Sequence, residues 1–205
     1  MTSKITHYFE QKKNTDSDIN QHLERLMTLA KECQIVAELG VRDAVSTWAF
    51  LEGLKTNGQD TKILICVDIN DAPNFDEIIK DSAKEGIDVS FIKGDSAKVD
   101  LPYIDLLFID TWHVYGHLKR EFEKHHQNVG KYIALHDTDV DKTRGESVRL
   151  GCNIAQQSQE TGYPEEEIRK GLQFAIDEFL ENNSEWCLFE TYSNNNGLTI
   201  LKRNL

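Results

Sequence analysis

The chain has 205 residues, enough for one domain with a sizeable core and too few for two large ones. It carries 35 Asp and Glu against 23 Lys and Arg, a net charge of −12, so no nucleic acid is expected as a partner: affinity for such a polyanion comes largely from basic side chains meeting phosphates. No apolar run approaches the roughly 20 residues of a membrane helix, and the polar first residues lack the apolar core of a signal peptide, so no membrane partner is expected either.

Residues 11–18 are polar and read as loop. From 18 to 33, Ile19, Leu23, Leu26, Met27 and Ala30 recur at helical spacing, with Ser17 or Asp18 as N-cap. The period then shortens. Residues 34–39 form an apolar strand, Gly40 follows, and a helix runs through Trp48 and Leu51 to Leu54. Residues 62–67 read as a second strand. Phe75, Ile78, Ile79 and Ala83 mark a helix closed by Gly86, and residues 88–92 a third strand. Residues 104–109 are a fourth strand, apolar on both faces. Leu118, Phe122 and Val129 mark the next helix, and 131–135 a fifth strand. Strand alternating with helix at this pitch predicts a mostly parallel sheet with helices on both faces. Residues 139–170 are polar and irregular, and are expected to be an insertion over the active site. Leu172, Ala175, Ile176, Phe179 and Leu180 share one helical face. Strands at 186–192 and 198–201 flank Ser193-Asn194-Asn195-Asn196-Gly197, a hairpin turn, for a total of seven strands. Residues 1–33 are expected to form an N-terminal helical cap on a main domain spanning 34–205. The cysteines, Cys33, Cys66, Cys152 and Cys187, show no metal or redox spacing, and Cys66 sits in an apolar run as a buried thiol. A cytoplasmic, reducing compartment is expected.

The chemistry-bearing residues cluster at strand ends. Glu38 closes the first strand, and Gly40 lets the backbone turn sharply beside a ligand before Arg42, Ser46 and Thr47. Asp68 ends the second strand, followed by Asn70, where an acid can accept the hydroxyls of a ribose. Asp95 and Ser96 follow the third strand. Each acid alone could equally be a turn or helix cap. Asp110 ends the fourth strand and His136-Asp137 the fifth. Adjacent parallel strands set these three side by side, where they can hold a divalent metal or simply hydrogen-bond to one another. Carboxylates suit Mg²⁺, while the imidazole raises the odds of Mn²⁺ or Fe²⁺. His113 is a candidate general base, or a pin for its loop. His113 and His117 stand four apart, a spacing zinc ligands use, but no third ligand lies nearby. His125 and His126 read as surface residues at a helix end. Trp112 and Tyr115 read as pocket lining.

The order of these segments resembles class I S-adenosylmethionine (SAM)-dependent methyltransferases. Val36-Ala37-Glu38-Leu39-Gly40 matches their first motif, although a further Gly usual there is replaced by Arg42-Asp43-Ala44. The run from Phe108 to Phe122 resembles a stretch in small-molecule and sugar O-methyltransferases related to macrocin methyltransferase and cephalosporin hydroxylase. The resemblance implies a Rossmann-like fold, with SAM bound by Glu38, Gly40, Arg42, Ser46, Thr47, Asp68, Asn70, Asp95, Ser96 and Asp110. It also implies a metal on Asp110, His136 and Asp137, although His136 stands where the relatives carry an acid. Proton removal would fall to His113 beside Asp110. The implied reaction is methylation of a hydroxyl on a sugar or other small molecule. Asp18, Asn20 and His22 could fold over the pocket, and a homodimer is the default assembly. Two other readings stay open: an NAD- or nucleotide-binding oxidoreductase, disfavoured by a loop with Gly40 alone, and a metal-dependent hydroxylase or binding scaffold on the same fold.

Overall fold

The computed structural model describes residues 3–204. Its centre is a seven-stranded sheet in the order β3-β2-β1-β4-β5-β7-β6. The strands β1 (Ile35–Leu39), β2 (Ile63–Asp68), β3 (Asp88–Lys93), β4 (Ile104–Ile109) and β5 (Val129–His136) run parallel. The strands β6 (Trp186–Tyr192) and β7 (Leu198–Arg203) close the sheet as an antiparallel hairpin on β5.

The apolar runs of the inner strands serve two cores at once. Val36, Leu64, Leu106 and Phe108 join the core on one face; their neighbours Ala37, Ile65, Leu107 and Ile109 join the core on the other. Successive side chains of a strand point to opposite faces, so a strand buried on both sides is apolar at nearly every position, and its rare polar residue needs partners. Each fully buried Leu or Phe contributes roughly 1.5–3 kcal/mol. The first face is covered by α1 (Lys4–Lys13), α2 (Leu23–Lys31), α3 (Val45–Thr56) and α4 (Phe75–Ala83). The second is covered by α5 (Tyr115–His125) and α9 (Leu172–Asn182). A Cβ on Gly53 would lie 2.4 Å from the Met27 carbonyl, so the bare glycine allows α2 and α3 to pack closely.

Two regions depart from the sequence reading. Within the expected N-terminal helical segment, α1 runs on through residues 11–13, which were read as loop: it buries only Ile5 and Phe9, too narrow a stripe to mark its bounds in a polar segment. It is held by the Ser3 N-cap and by Lys4–Asp81 and Thr6–Glu52 contacts, both 2.9 Å. Residues 139–170, expected to be irregular, contain three short helices: α6 (Glu146–Arg149), α7 (Ile154–Thr161) and α8 (Glu165–Arg169). A small apolar cluster of Val114, Ile154 and Ile168, with Trp112, Val148 and Tyr163 against it, seats them on the loop after β4. No helix among the described residues is long and apolar enough to cross a membrane.

Candidate active site

The strand order reverses between β1 and β4, and the crevice outside the carboxyl ends there is where open α/β sheets bind ligands. A cavity of about 1260 Å³ opens at that point. Gly40 makes its floor possible. Its φ is +86°, and a Cβ there would lie 1.9 Å from the Asp110 carbonyl oxygen. Only glycine lets the turn after β1 pass this close to the end of β4. Arg42 and Ala44 also adopt left-handed φ, 46° and 54°, so the turn holds its shape against a steric cost. Asp68 organises it: Oδ2 accepts from the amides of Val41 (2.8 Å) and Arg42 (3.0 Å), Oδ1 from Asn70 (2.8 Å). A carboxylate has about four lone-pair positions, so one stays free on Oδ1 for a ligand hydroxyl.

Gly40, Arg42, Ser46, Asp68, Asn70, Asp95, Ser96, Asp110 and His113 all line this single cavity. Glu38, Thr47, His136 and Asp137 do not. Glu38 is fully buried beneath the turn, where Ser46 Oγ (2.5 Å), Thr47 Oγ1 (2.7 Å) and Cys66 Sγ (3.3 Å) donate to it. It ties β1 to the first turn of α3 and to β2. Burial raises its pKa from 4.5 to about 7, against the hydrogen bonds it accepts.

At one end of the cavity, acids converge on His113. Its Nε2 lies 3.1 Å from Asp110 Oδ1, and its Nδ1 lies 3.1 Å from Asp137 Oδ2, 3.6 Å from Asp141 Oδ2 and 3.7 Å from Glu146 Oε2. Burial opposes the imidazolium, but Asp110, Asp137 and Glu146 outweigh it and raise the His113 pKa to about 9. Without another cation the ring therefore already carries the proton that a general base would have to accept. Burial also works against the Asp110 anion, but His113 and His136 hold its pKa far below the usual carboxylate range. Burial pushes Asp137 up.

His136 has both ring nitrogens engaged. Nδ1 lies 3.3 Å from Asp110 Oδ1; Nε2 lies 3.1 Å from the carbonyls of Asp18 and Asn195. The group of ligand atoms within 4.8 Å of one another is Asp110, His113 and Asp137, with His113 in the place expected for His136. His113 Nδ1 and Asp137 Oδ1 are buried without a hydrogen-bond partner among the described residues. Two carboxylates, an imidazole and orphaned buried donor atoms fit a small divalent cation.

In a second cluster, Ser96 Oγ meets His117 Nε2 (3.0 Å) and Glu121 Oε1 (2.6 Å), and His117 Nδ1 meets the Tyr163 hydroxyl (3.1 Å). Tyr163 stacks near Trp112, and Arg120 lies 4.0 Å over its ring. His113 and His117 thus belong to separate clusters and share no zinc. His125 is buried rather than on the surface, its Nε2 2.7 Å from the Ser96 carbonyl. Tyr115 is not on the cavity wall; its hydroxyl donates to Glu178 (2.5 Å). Trp112 does line the cavity.

The N-terminal segment borders the site. Ile19 lines the cavity, and Asp18 is ion-paired to Arg42 at 2.8 Å, not capping a helix. Asn20 and His22 are not on the cavity wall; His22 is buried with Nε2 3.0 Å from the Asn194 carbonyl. Sequence reasoning missed Asp141, Glu146 and Tyr163, all from the insertion, because no local pattern ties them to the strand ends. Glu121 carried a weak signal, standing one helical turn from His117.

No curated protein matches this sequence. Residues 37–138 match the family model described as a methyltransferase domain. Solved structures share the fold. SAH-bound methyltransferase PaMTH1 of Podospora anserina is 14% identical with a TM-score of 0.57, covering 100% of this chain and 89% of its own. The O-methyltransferase TomG of Streptomyces achromogenes, in complex with SAM, is 12% identical with a TM-score of 0.57, covering 100% and 92%. An O-methyltransferase of Bacillus cereus in complex with SAH is 12% identical with a TM-score of 0.54, covering 100% and 92%. Across residues 37–138, then, the chain carries a segment matching a methyltransferase domain, within a fold it shares along nearly its whole length with solved methyltransferases.

Proposed function

We propose that the chain is a SAM-dependent methyltransferase that methylates a hydroxyl of a sugar or other small molecule, with a divalent cation beside the acceptor. The observation that carries this reading is the convergence of the Gly40 turn, Asp68, Asp95 and Asp110 on one cavity. The free lone pair of Asp68 suits a ribose hydroxyl, and the Asp95–Ser96 loop suits the base. The family match and the SAM- and SAH-bound neighbours support the same cofactor.

Methyl transfer is an in-line displacement, so the wall residues must hold acceptor oxygen, methyl carbon and sulfur on one axis. Such alignment supplies up to roughly 7–11 kcal/mol in well-oriented systems. Asp110, His113 and Asp137 would hold the cation; when bound, it lowers the pKa of the acceptor hydroxyl. His113 keeps its proton while the carboxylates face it alone; a bound cation would displace it, and the proton that the acceptor hydroxyl loses would leave to water through the open cavity.

Isothermal titration should show SAM binding, weakened at least about tenfold by Asp68→Ala, the scale of a lost charge-assisted hydrogen bond. Unchanged binding in that variant would remove the ribose assignment. SAH release with a panel of hydroxylated acceptors, with and without Mg²⁺, tests the reaction; turnover that survives exhaustive chelation would remove the cation.

A further inference from the structure

The Asn194-Asn195-Asn196 turn does more than reverse the chain between β6 and β7. On one side it locks to the strap at residues 17–22. Asn195 Oδ1 accepts from the Gln21 amide (2.8 Å), and its Nδ2 donates to the Ser17 carbonyl (2.8 Å). Asn194 Nδ2 donates to Gln21 Oε1 (2.7 Å), and the Asn194 carbonyl takes His22 Nε2. On the other side the Asn196 carbonyl accepts the amides of Asp139 (2.9 Å) and Val140 (3.0 Å), just past the end of β5. His136 sits in the seam. Its Nε2 lies 3.1 Å from a strap carbonyl, Asp18, and 3.1 Å from a turn carbonyl, Asn195. The His22 ring packs edge-on against it, centroids 5.9 Å apart.

Carbonyl oxygens only accept, so Nε2 must carry a proton. That fixes the ring's orientation and directs Nδ1 to Asp110 Oδ1 at 3.3 Å, the same oxygen that faces His113 Nε2. A histidine whose second nitrogen is held by backbone carbonyls is an orienting device for what its first nitrogen meets. We infer that the terminal hairpin turn and the N-terminal strap form one clamp that positions His136, and through it Asp110, with Asn195 as the positioning residue that joins the two halves. Segments at opposite ends of the sequence thereby set the geometry of the β4 acid.

The test uses Asn195→Gly in the full chain. The native φ of Asn195 is +48°, which glycine adopts freely, so the turn survives while both side-chain bonds to the strap vanish. In ¹⁵N-histidine NMR, the wild type should show a slowly exchanging Nε2 proton on His136, assigned by its absence in His136→Gln. Asn195→Gly should lose it, stay folded with a melting midpoint lowered by only a few degrees, keep its affinity for SAM, and lower kcat by about tenfold or more with the best acceptor in the panel. Asn195→Asp keeps the acceptor for Gln21 but not the donor for Ser17, and should fall between. It also decides the matter if the glycine variant fails to fold. Retention of the slow proton, or its loss with kcat unchanged, would overturn the clamp. The kcat arm rests on the methyltransferase reading and the ring-proton arm does not. A wild type that shows the slow proton but methylates nothing would refute that reading and leave the clamp to the NMR result.

Discussion

Replacing Glu38 with Gln tests the desolvated acid beneath the turn after β1. The carboxyl is fully buried, and burial lifts its pKa from 4.5 to about 7 although Ser46, Thr47 and Cys66 all donate to it. The folded state therefore holds this proton more tightly than the unfolded chain. Such a group lends its full stability below the unfolded pKa and loses it as pH rises through the folded one. The difference between 4.5 and about 7 amounts to roughly 3 kcal/mol, at about 1.4 kcal/mol per pH unit. Glutamine keeps one acceptor oxygen for Ser46 and places an amide where the other oxygen met Thr47, but cannot ionise. Urea unfolding at closely spaced pH values gives both stabilities. The wild-type value minus the Glu38→Gln value should fall by roughly 3 kcal/mol in total between about pH 4.5 and 7, then level off. Taking the difference cancels the titration of distant groups. A difference that stays constant from pH 5 to 8, or that rises with pH, would refute a buried, proton-holding Glu38.

Gly40→Ala should be among the most damaging single-methyl changes in the chain. The left-handed backbone costs about 1–2 kcal/mol, and overlap with the Asp110 carbonyl adds to it, so the melting midpoint should drop and SAM affinity fall at least about tenfold by titration. Arg149→Leu should cost about 2–3 kcal/mol by urea unfolding. It strands the fully buried Asp141 that Arg149 clamps at 2.7 and 2.8 Å, and falls below the roughly 3–5 kcal/mol of a wholly buried pair because Arg149 reaches solvent. Millimolar Mg²⁺ or Mn²⁺ should raise the wild-type melting midpoint by mass action, an effect that chelator reverses and Asp137→Asn abolishes. A midpoint indifferent to both ions would argue that His113, His136 and Arg149 neutralise the acids without a metal.

Much of the site was legible because it sits on regular elements. The alternation of strand and helix fixed which residues end which strands, and parallel neighbours then bring Asp68, Asp95 and Asp110 to one rim. The register that pairs Ile109 with Leu135 likewise sets Asp110 beside His136. What stayed hidden was the direction in which each side chain leaves its strand end. Glu38 precedes the turn by two residues, as expected of a ligand-facing acid, yet it points beneath the turn to Ser46 and Thr47. His113, expected as a base, gathers with Asp110 and Asp137, while His136 meets the same two acids through Nδ1 and gives its Nε2 to two backbone carbonyls.

By itself the sequence determined the sheet, its two buried faces and the strand-end acids, since apolar periodicity and glycine placement are local properties of the chain. Only the tertiary structure decided the surroundings of His113, where Asp141 and Glu146 arrive from the insertion, and the junction of Asn195 with Ser17 and Gln21. Those contacts join segments far apart along the chain. Their strength depends on ångström-scale distances and burial, which no local pattern of residues encodes.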